Sequence, residues 1–156
     1  MKHNANASHT SASKQLTAFL DKFEPQNAKL IRACRAELRK LLPTAHQLLY
    51  DNYNFFVIGF AASERASDCI VSIAAAANGV VLSFYRGASL ADPKGLLLGS
   101  GKQNRFIRLA SMETLKDREV LALIRAAAAR ANTPLPTVGR GQLIVKSVSV
   151  KQRRRR

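Results

Sequence analysis

The sequence contains no tryptophan, and aromatic residues make up only 6% of its 156 residues. Because 47% of the residues are nevertheless hydrophobic, the chain has enough apolar material for a core built mainly from leucine, isoleucine, valine and alanine. The length matches that of one ordinary domain. With so few aromatic residues interleaved among the basic ones, the sequence does not indicate stacking on the bases of single-stranded nucleic acid.

Cysteines and long hydrophobic runs are also scarce. Cys34 and Cys69 have neither a second cysteine nor a histidine at metal-ligand spacing, so we expect two buried free thiols and no metal site. The longest apolar runs, such as residues 55–62, fall far short of the roughly 18 residues that a membrane span needs. The polar N-terminus lacks the apolar region of a secretory signal. These features predict a cytoplasmic protein with no transmembrane segment and no bound cofactor.

Acidic residues are few compared with basic ones. Ten aspartates and glutamates face 25 lysines and arginines, which gives a net charge of +15. All ten acidic residues precede residue 136, whereas seven basic residues follow it, so residues 1–135 carry a net charge of +8 from 18 basic and 10 acidic residues. An excess of this size predicts attraction to polyanions, with nucleic acid as the first candidate partner.

The hydrophobic periodicity predicts three helices. Ser13 is a candidate cap for a short first helix, Pro25 suits the first turn of the second, and Pro43 ends it. Thr114 and Asp117 match a capping box at the start of the third. Residues 1–12 lack apolar anchors, and we predict that they are disordered.

The remaining apolar runs predict a sheet. Asn78-Gly79 lies between two apolar runs, which indicates a central hairpin with a type I′ turn. Residues 55–60 and 105–110 add further strands, and residues 142–150 fit either an edge strand or an extended arm. The order is typical of the α+β class: an antiparallel sheet of four or five strands with two N-terminal helices and one C-terminal helix packed on it. The expected domain spans residues 13–133, and a flexible basic C-terminal arm spans 134–156.

The stretch LADPKGLLLGSGKQNRFIRLAS, together with two N-terminal helices, a hairpin and an alanine-rich C-terminal helix, resembles the YdhG-like domains of domain-of-unknown-function family 1801. The resemblance covers about residues 14–131 and implies the same α+β fold. Some relatives are described as frataxin-like iron chaperones. Iron sites of this kind use clustered carboxylates, whereas Glu64, Asp68 and Asp92 are scattered here. We therefore do not transfer iron binding to this chain.

The glycine-rich loop after residue 95 is the first candidate binding site. It lacks the spacing of a nucleotide-binding loop, because Leu96 stands where that motif requires glycine and Gln103 follows the lysine. Ser100 does not match a hydrolase elbow either, because Leu98 and Lys102 occupy the two positions, two residues to each side, where that motif requires glycine. A glycine-rich turn can still bind an anion through backbone N–H groups. The candidate residues are Gly99, Ser100, Gly101, Lys102, Arg105 and Arg108.

Two basic clusters are candidates for contacts with a polyanion. One is an arginine stripe on the second predicted helix, formed by Arg32, Arg35 and Arg39. The other is the C-terminal arm, whose candidate residues are Lys146, Lys151, Arg153, Arg154, Arg155 and Arg156. Such arms bind phosphate backbones without sequence preference, through the release of counterions.

Catalytic groups are not apparent in the sequence. His3 and His9 fall in the predicted disordered segment, and His46 has no acid or nucleophile at useful spacing. The pattern therefore favours a non-enzymatic binding module with affinity for polyanions. A small-ligand or metal-handling domain, as the family resemblance suggests, is the alternative, and a purely structural role stays open.

Overall fold

The computed structural model describes residues 5–156, with side chains described from residue 11 onward, and confirms the α+β class. Three α-helices and six strands alternate with short 3-10 turns. The helices are α1 (Ala5–Leu20), α2 (Pro25–Leu41) and α3 (Arg118–Ala129), and the strands are β1 (His46–Asp51), β2 (Phe56–Ala61), β3 (Cys69–Ala76), β4 (Gly79–Phe84), β5 (Arg105–Arg108) and β6 (Leu143–Val148).

The six strands form one mixed sheet in the order β5-β4-β3-β2-β1-β6. Every pairing is antiparallel except that of β1 with β6, which is parallel. The sequence predicted four or five antiparallel strands. The structure differs in having the additional strand β1 and in the parallel pairing of β6 at the edge. Strand β1 is hard to recognise because Leu48 and Leu49 are adjacent and both fully buried, so the strand lacks an alternating pattern.

One face of the sheet packs on the helices. Ile31 and Leu38 of α2 lie in the same fully buried cluster as Ile58, Ile73 and Leu82 of the sheet. Hydrophobic burial on this scale is the main stabilising contribution of such a core. No helix in residues 5–156 is long and apolar enough to cross a membrane.

The first helix begins earlier than the sequence predicted. Helix α1 starts at Ala5 instead of being capped at Ser13, and Ala12 is buried against the core. The first four residues of the segment predicted to be disordered lie outside the described residues. Near the other end of α1, Phe19 and Phe23 pack around Phe56, with ring centroids 5.7 and 6.2 Å from that ring. This aromatic cluster places the α1–α2 connection beside the end of β1.

Two local turn predictions are shifted in the structure. The hairpin between β3 and β4 is present, but its connection is Ala77-Asn78, and only Gly79 has positive φ, at 146°. The prediction of a type I′ turn at Asn78-Gly79 is wrong, because such a turn needs positive φ at both residues. The start of α3 is also three residues later than predicted: Asp117 and not Thr114 is the N-cap, and its carboxylate accepts from the backbone N–H groups of Glu119 and Val120.

Candidate polyanion-binding site

The C-terminal segment is an ordered part of the fold and not the flexible arm that the sequence predicted. Strand β6 forms the sheet edge beside β1, so the edge-strand alternative is the observed one. Beyond it the chain folds over the β1–β2 connection, where the backbone N–H of Ser149 donates to the carbonyl of Asp51 and that of Arg153 donates to the carbonyl of Tyr53. The side chain of Gln152 donates to the Asp51 carbonyl at 2.8 Å. These bonds hold the basic residues in place.

The start of β6 is held by a histidine. His46 Nδ1 accepts from the backbone N–H of Gln142 at 3.0 Å, and the backbone N–H of Gln47 donates to the Gln142 carbonyl. His46 thus connects β1 to the start of β6. His3 lies outside the described residues, and the side chain of His9 is not described either.

A buried ion pair anchors the segment. The guanidinium of Arg155 donates to Asp51 at 3.0 Å and to the carbonyl of Asn52 at 2.6 Å, and both charged side chains are almost completely buried. Lys22, at the end of α1, donates to the other carboxylate oxygen of Asp51 at 2.6 Å. Burial by itself raises the pKa of Asp51, but hydrogen bonds from Lys22, Gln152 and Arg155 outweigh it, and the pKa is lowered from its usual value.

Arg155 is therefore an anchor, and the other arginines of the segment are the exposed cations. The guanidinium of Arg153 lies 5.5 Å from the centroid of the Tyr53 ring, a cation–π distance. Arg156 donates to the carbonyls of Asp21 and Lys22 at 3.2 Å, and Arg154 is exposed.

These residues line two adjoining grooves. The first, of about 500 Å³, is lined by Lys22, Gln152, Arg153, Arg154, Arg155 and Arg156. The second, of about 510 Å³, is lined by Asn54, Phe55, Ala76, Ala77, Asn78, Arg153 and Arg154. Within the described part of the chain, no acidic residue lines either groove. Both grooves therefore offer an anion a cationic rim without competing acidic side chains.

Lys146 and Lys151 are exposed but line neither groove. Lys146 lies at the bulge of β6, where the register with β1 shifts between Leu49 and Tyr50. Both lysines can add to the positive electrostatic potential of the surface, but they do not line the candidate site.

The arginine stripe of α2 is not a row of three free guanidinium groups. Arg35 donates to the buried Gln47 at 2.6 Å, and burial, followed by repulsion from Arg39, lowers its pKa. Arg32 lies 3.7 Å from the carboxylate of Asp21, the residue whose carbonyl Arg156 also contacts. The structure thus brings Arg32 close to the C-terminal segment, leaves Arg35 half-buried against Gln47 and leaves Arg39 exposed.

The glycine-rich loop uses its own polar groups internally. The carboxylate of Asp92 accepts from the backbone N–H groups of Leu96 and Leu97, both at 2.9 Å. Arg105 donates to the carbonyls of Gly101 and Asn104. The loop thus turns carbonyl oxygens toward its arginine. Gly99, Ser100 and Lys102 are exposed, and Arg108 lies over the ring of Phe106 at 5.8 Å. An anion site at residues 99–102 stays a prediction.

The two thiols and the acidic side chains show no catalytic or metal-binding arrangement. Burial, followed by the charge of Glu37, raises the pKa of Cys34 to about 11, and burial likewise raises that of Cys69 to about 11. Both thiols are therefore protonated near neutral pH. The carboxylate of Asp68 is occupied by Ser63, Arg65 and Thr133. Among the side chains of residues 11–156, no three histidine, cysteine or acidic groups converge as a metal site would require.

Comparison with protein-family models, with curated proteins and with solved structures gives no match to this chain.

The sequence did not identify the residues that organise the site. Asp51, Lys22 and Tyr53 come from the end of β1, the end of α1 and the β1–β2 connection, and none belongs to a recognisable motif. One signal was available. A buried charge needs a partner, so an aspartate that directly continues an apolar strand calls for a cation, and residues 153–156 are the densest run of cations in the chain.

Proposed function

We propose that this protein is a non-enzymatic binding module that binds polyanions, nucleic acid first among them, at the grooves lined by Arg153 and Arg154. The observation that carries the proposal is the anchored C-terminal segment. The buried pair of Arg155 with Asp51 holds the neighbouring arginines on an open surface that no described acidic side chain lines.

Anchoring matters for affinity. A flexible arm loses conformational entropy when it binds, whereas a segment that is already ordered loses less. The cations here line two adjoining grooves, which offer more contacts to a chain of phosphates than to a single small anion. Binding through such contacts releases counterions, so it weakens steeply with salt.

The test uses the full-length chain and a labelled mixed-sequence duplex DNA, with fluorescence anisotropy over a salt series from about 50 to 200 mM. The double variant Arg153→Gln/Arg154→Gln removes two cations from the grooves. The matched control, Arg118→Gln/Arg125→Gln, removes two exposed arginines of α3 that line neither groove.

We expect the groove variant to bind more weakly and to reduce the slope of log K against log salt by about 2, because each lost phosphate contact removes nearly one unit of slope. The control should change little. Equal losses in both variants would mean that the net charge, and not this site, determines binding. Absence of binding at the lowest salt would refute the proposal.

We also propose that the chain is a YdhG-like cytoplasmic protein, and this supports a second candidate function, the handling of a small ligand or a metal. The observation in its favour is a pocket of about 160 Å³ between α3 and the end of β4, lined in part by Asp68, Arg86 and Arg130. A thermal-shift titration with ferrous iron and with inorganic phosphate tests it. An unchanged melting temperature with both would leave polyanion binding as the function.

A further inference from the structure

The outer face of the sheet, opposite the helices, is built from small side chains. Strands β3 and β4 alternate, so that Ile73 and Leu82 are fully buried toward the helices while Ala74, Val81 and Ser83 point the other way and are partly exposed. Small residues on β3 and β4 leave a shallow trough, which Phe106 and Arg108 of β5 border. It forms a groove of about 620 Å³ along the β3–β4–β5 side of the sheet.

Two aromatic side chains from distant parts of the chain meet in this groove. Phe55 comes from the β1–β2 connection and is 50% exposed, and Phe106 comes from β5. The sequence did not indicate base stacking, because its aromatic residues are few and not interleaved with the basic ones. The sheet reverses that conclusion, since it brings Phe55 and Phe106 to one surface.

Cations lie at both ends of the same surface. Arg108 lines the groove and lies over Phe106. At the other end, Phe55 also lines the cationic groove that contains Arg153 and Arg154, as do Ala76 and Asn78. Among the residues that the structure describes, no aspartate or glutamate lines the joined surface. It therefore combines an apolar floor that includes aromatic rings with arginines at its two ends.

This combination of arginines and an apolar floor distinguishes single-stranded from double-stranded nucleic acid. A duplex presents phosphates but keeps its bases stacked inside, so it can contact the arginines and not the floor. A single strand presents phosphates and unstacked base faces on the same chain, and base–aromatic stacking is the usual way in which proteins bind such strands without strong sequence preference. Asn78, Ser83 and Asn104 in the groove lining add polar groups that can reach base edges.

We propose that single-stranded nucleic acid binds across the outer face of the sheet, with bases against Phe55 and Phe106 and phosphates at Arg108 and at Arg153 and Arg154. The inference rests on the proposed function, because it shares Arg153 and Arg154 with it, and it adds the strandedness of the ligand and the position of its bases.

The experiment measures the affinity of the full-length protein for four labelled probes. They are a single-stranded DNA about ten nucleotides long, the RNA of the same sequence, the corresponding duplex DNA, and an abasic oligonucleotide of equal length that keeps the phosphates and lacks the bases. The Phe55→Ala variant removes the more exposed ring. Tyr85→Ala is the matched control, because Tyr85 is 38% exposed and lines none of these grooves.

We expect the single strands to bind more tightly than the duplex and the abasic probe. Phe55→Ala should weaken binding of the single strands about tenfold, the loss expected for one stacked base, and leave the abasic probe and the duplex unchanged. Tyr85→Ala should have no effect. A second variant, Val81→Glu, keeps both rings and adds a carboxylate to the floor, and it should also weaken the single strands selectively.

The outcomes separate this inference from the proposed function. If all four probes bind equally, and only Arg153→Gln/Arg154→Gln weakens them, polyanion binding stands and the outer-face inference is wrong. If no probe binds, both are wrong. If the chain instead self-associates through this face, so that Phe55→Ala abolishes a dimer seen by light scattering and leaves the binding of single strands unchanged, the groove is an interface between copies and the inference is overturned.

Discussion

At the scale of single residues, Asp51 is the side chain on which the C-terminal segment depends. It is completely buried at the end of β1 and accepts hydrogen bonds from Lys22 and Arg155. A buried carboxylate without partners is strongly unfavourable, and a buried pair is destabilised most when one partner is removed and the other stays charged. Two nitrogens of Arg155, Nε and Nη1, are buried without a protein partner, so the carboxylate is the main compensation for that charge.

The first prediction concerns this pair. We expect Arg155→Met to lower the free energy of unfolding by about 3 kcal/mol, at the lower end of the range for a broken buried pair, because Lys22 still donates to Asp51. Urea denaturation measures the change. Arg154→Met, next to it and exposed, should stay within about 0.5 kcal/mol of the parent protein. Equal midpoints for the two variants would show that Arg155 is not an anchor.

The pH dependence of stability follows from the same carboxyl group. The pKa of Asp51 is lower in the folded than in the unfolded protein, so its ionised form stabilises the fold above the unfolded pKa of about 3.9. That contribution is lost as the pH falls through the lower, folded value. We expect Asp51→Asn to be less stable at neutral pH, yet to lose less stability than the parent between about pH 5 and pH 3, as measured by denaturation at each pH.

Asp68 provides the internal control for this experiment. Its pKa is also lowered, first by the hydrogen bond from Ser63, and it stays in both proteins. A residual loss of stability at acid pH is therefore expected in Asp51→Asn. Identical pH profiles for the parent and the variant would contradict the assignment of Asp51.

At the scale of elements, β6 is the strand that joins the C-terminal segment to the domain. It pairs in parallel with β1 and buries Leu143 against the core. Just before β6, the backbone at Gly141 lies against the segment between α2 and β1. The N–H of Gly141 donates to the carbonyl of Pro43, and a Cβ at Gly141 would overlap the carbonyl oxygen of Ala45. Glycine is required there because the two backbones lie in direct contact.

A substitution at Gly141 tests this approach. We expect Gly141→Ala to destabilise the protein by about 2–3 kcal/mol, because the added methyl group meets rigid backbone and β6 must shift. Gly101→Ala is the matched control: its φ is not positive, and the nearest atom to the new Cβ would be 3.7 Å away. The control should melt like the parent. If both variants melt alike, the docking of β6 does not depend on this contact.

At the scale of the whole molecule, cations that are far apart in the chain lie on one surface. Lys22 lies just after α1, and the arginines at 153–156 lie after β6. All five side chains nevertheless line one groove. The side of the sheet opposite the helices carries the apolar groove that adjoins it. The molecule therefore has one surface that combines charge and apolar area, instead of a compact body with a detached tail.

A truncation series tests this view. We expect a chain that ends at Val150 to keep all six strands and to unfold cooperatively at a lower temperature, because it loses only the anchor at Asp51. A chain that ends at Thr133 lacks β6 and exposes the unpaired edge of β1, and we expect it to lose cooperative unfolding and to aggregate. Circular dichroism during heating distinguishes the two. Cooperative melting of the shorter chain near the parent temperature would contradict the role of β6.

Local chemistry allowed much of the fold to be predicted. Pro25 and Pro43 bracket α2 through their effects on neighbouring backbone, and the apolar runs around Asn78-Gly79 form the hairpin at the centre of the sheet. The register of its turn was not predictable to one residue, because several short turns can join two strands with almost equal energy.

What the sequence by itself determined is the α+β class, the positions of most helices and strands, and the excess of positive charge, because each depends on residues close together in the chain. Only the tertiary structure decided that the basic C-terminal segment is anchored by Arg155 on Asp51, that Arg35 turns to Gln47 and leaves the stripe, and that Phe55 and Phe106 share a groove. These contacts join residues that are between 12 and 104 positions apart. Pairings over such separations depend on how the sheet and helices pack, and no local pattern specifies them.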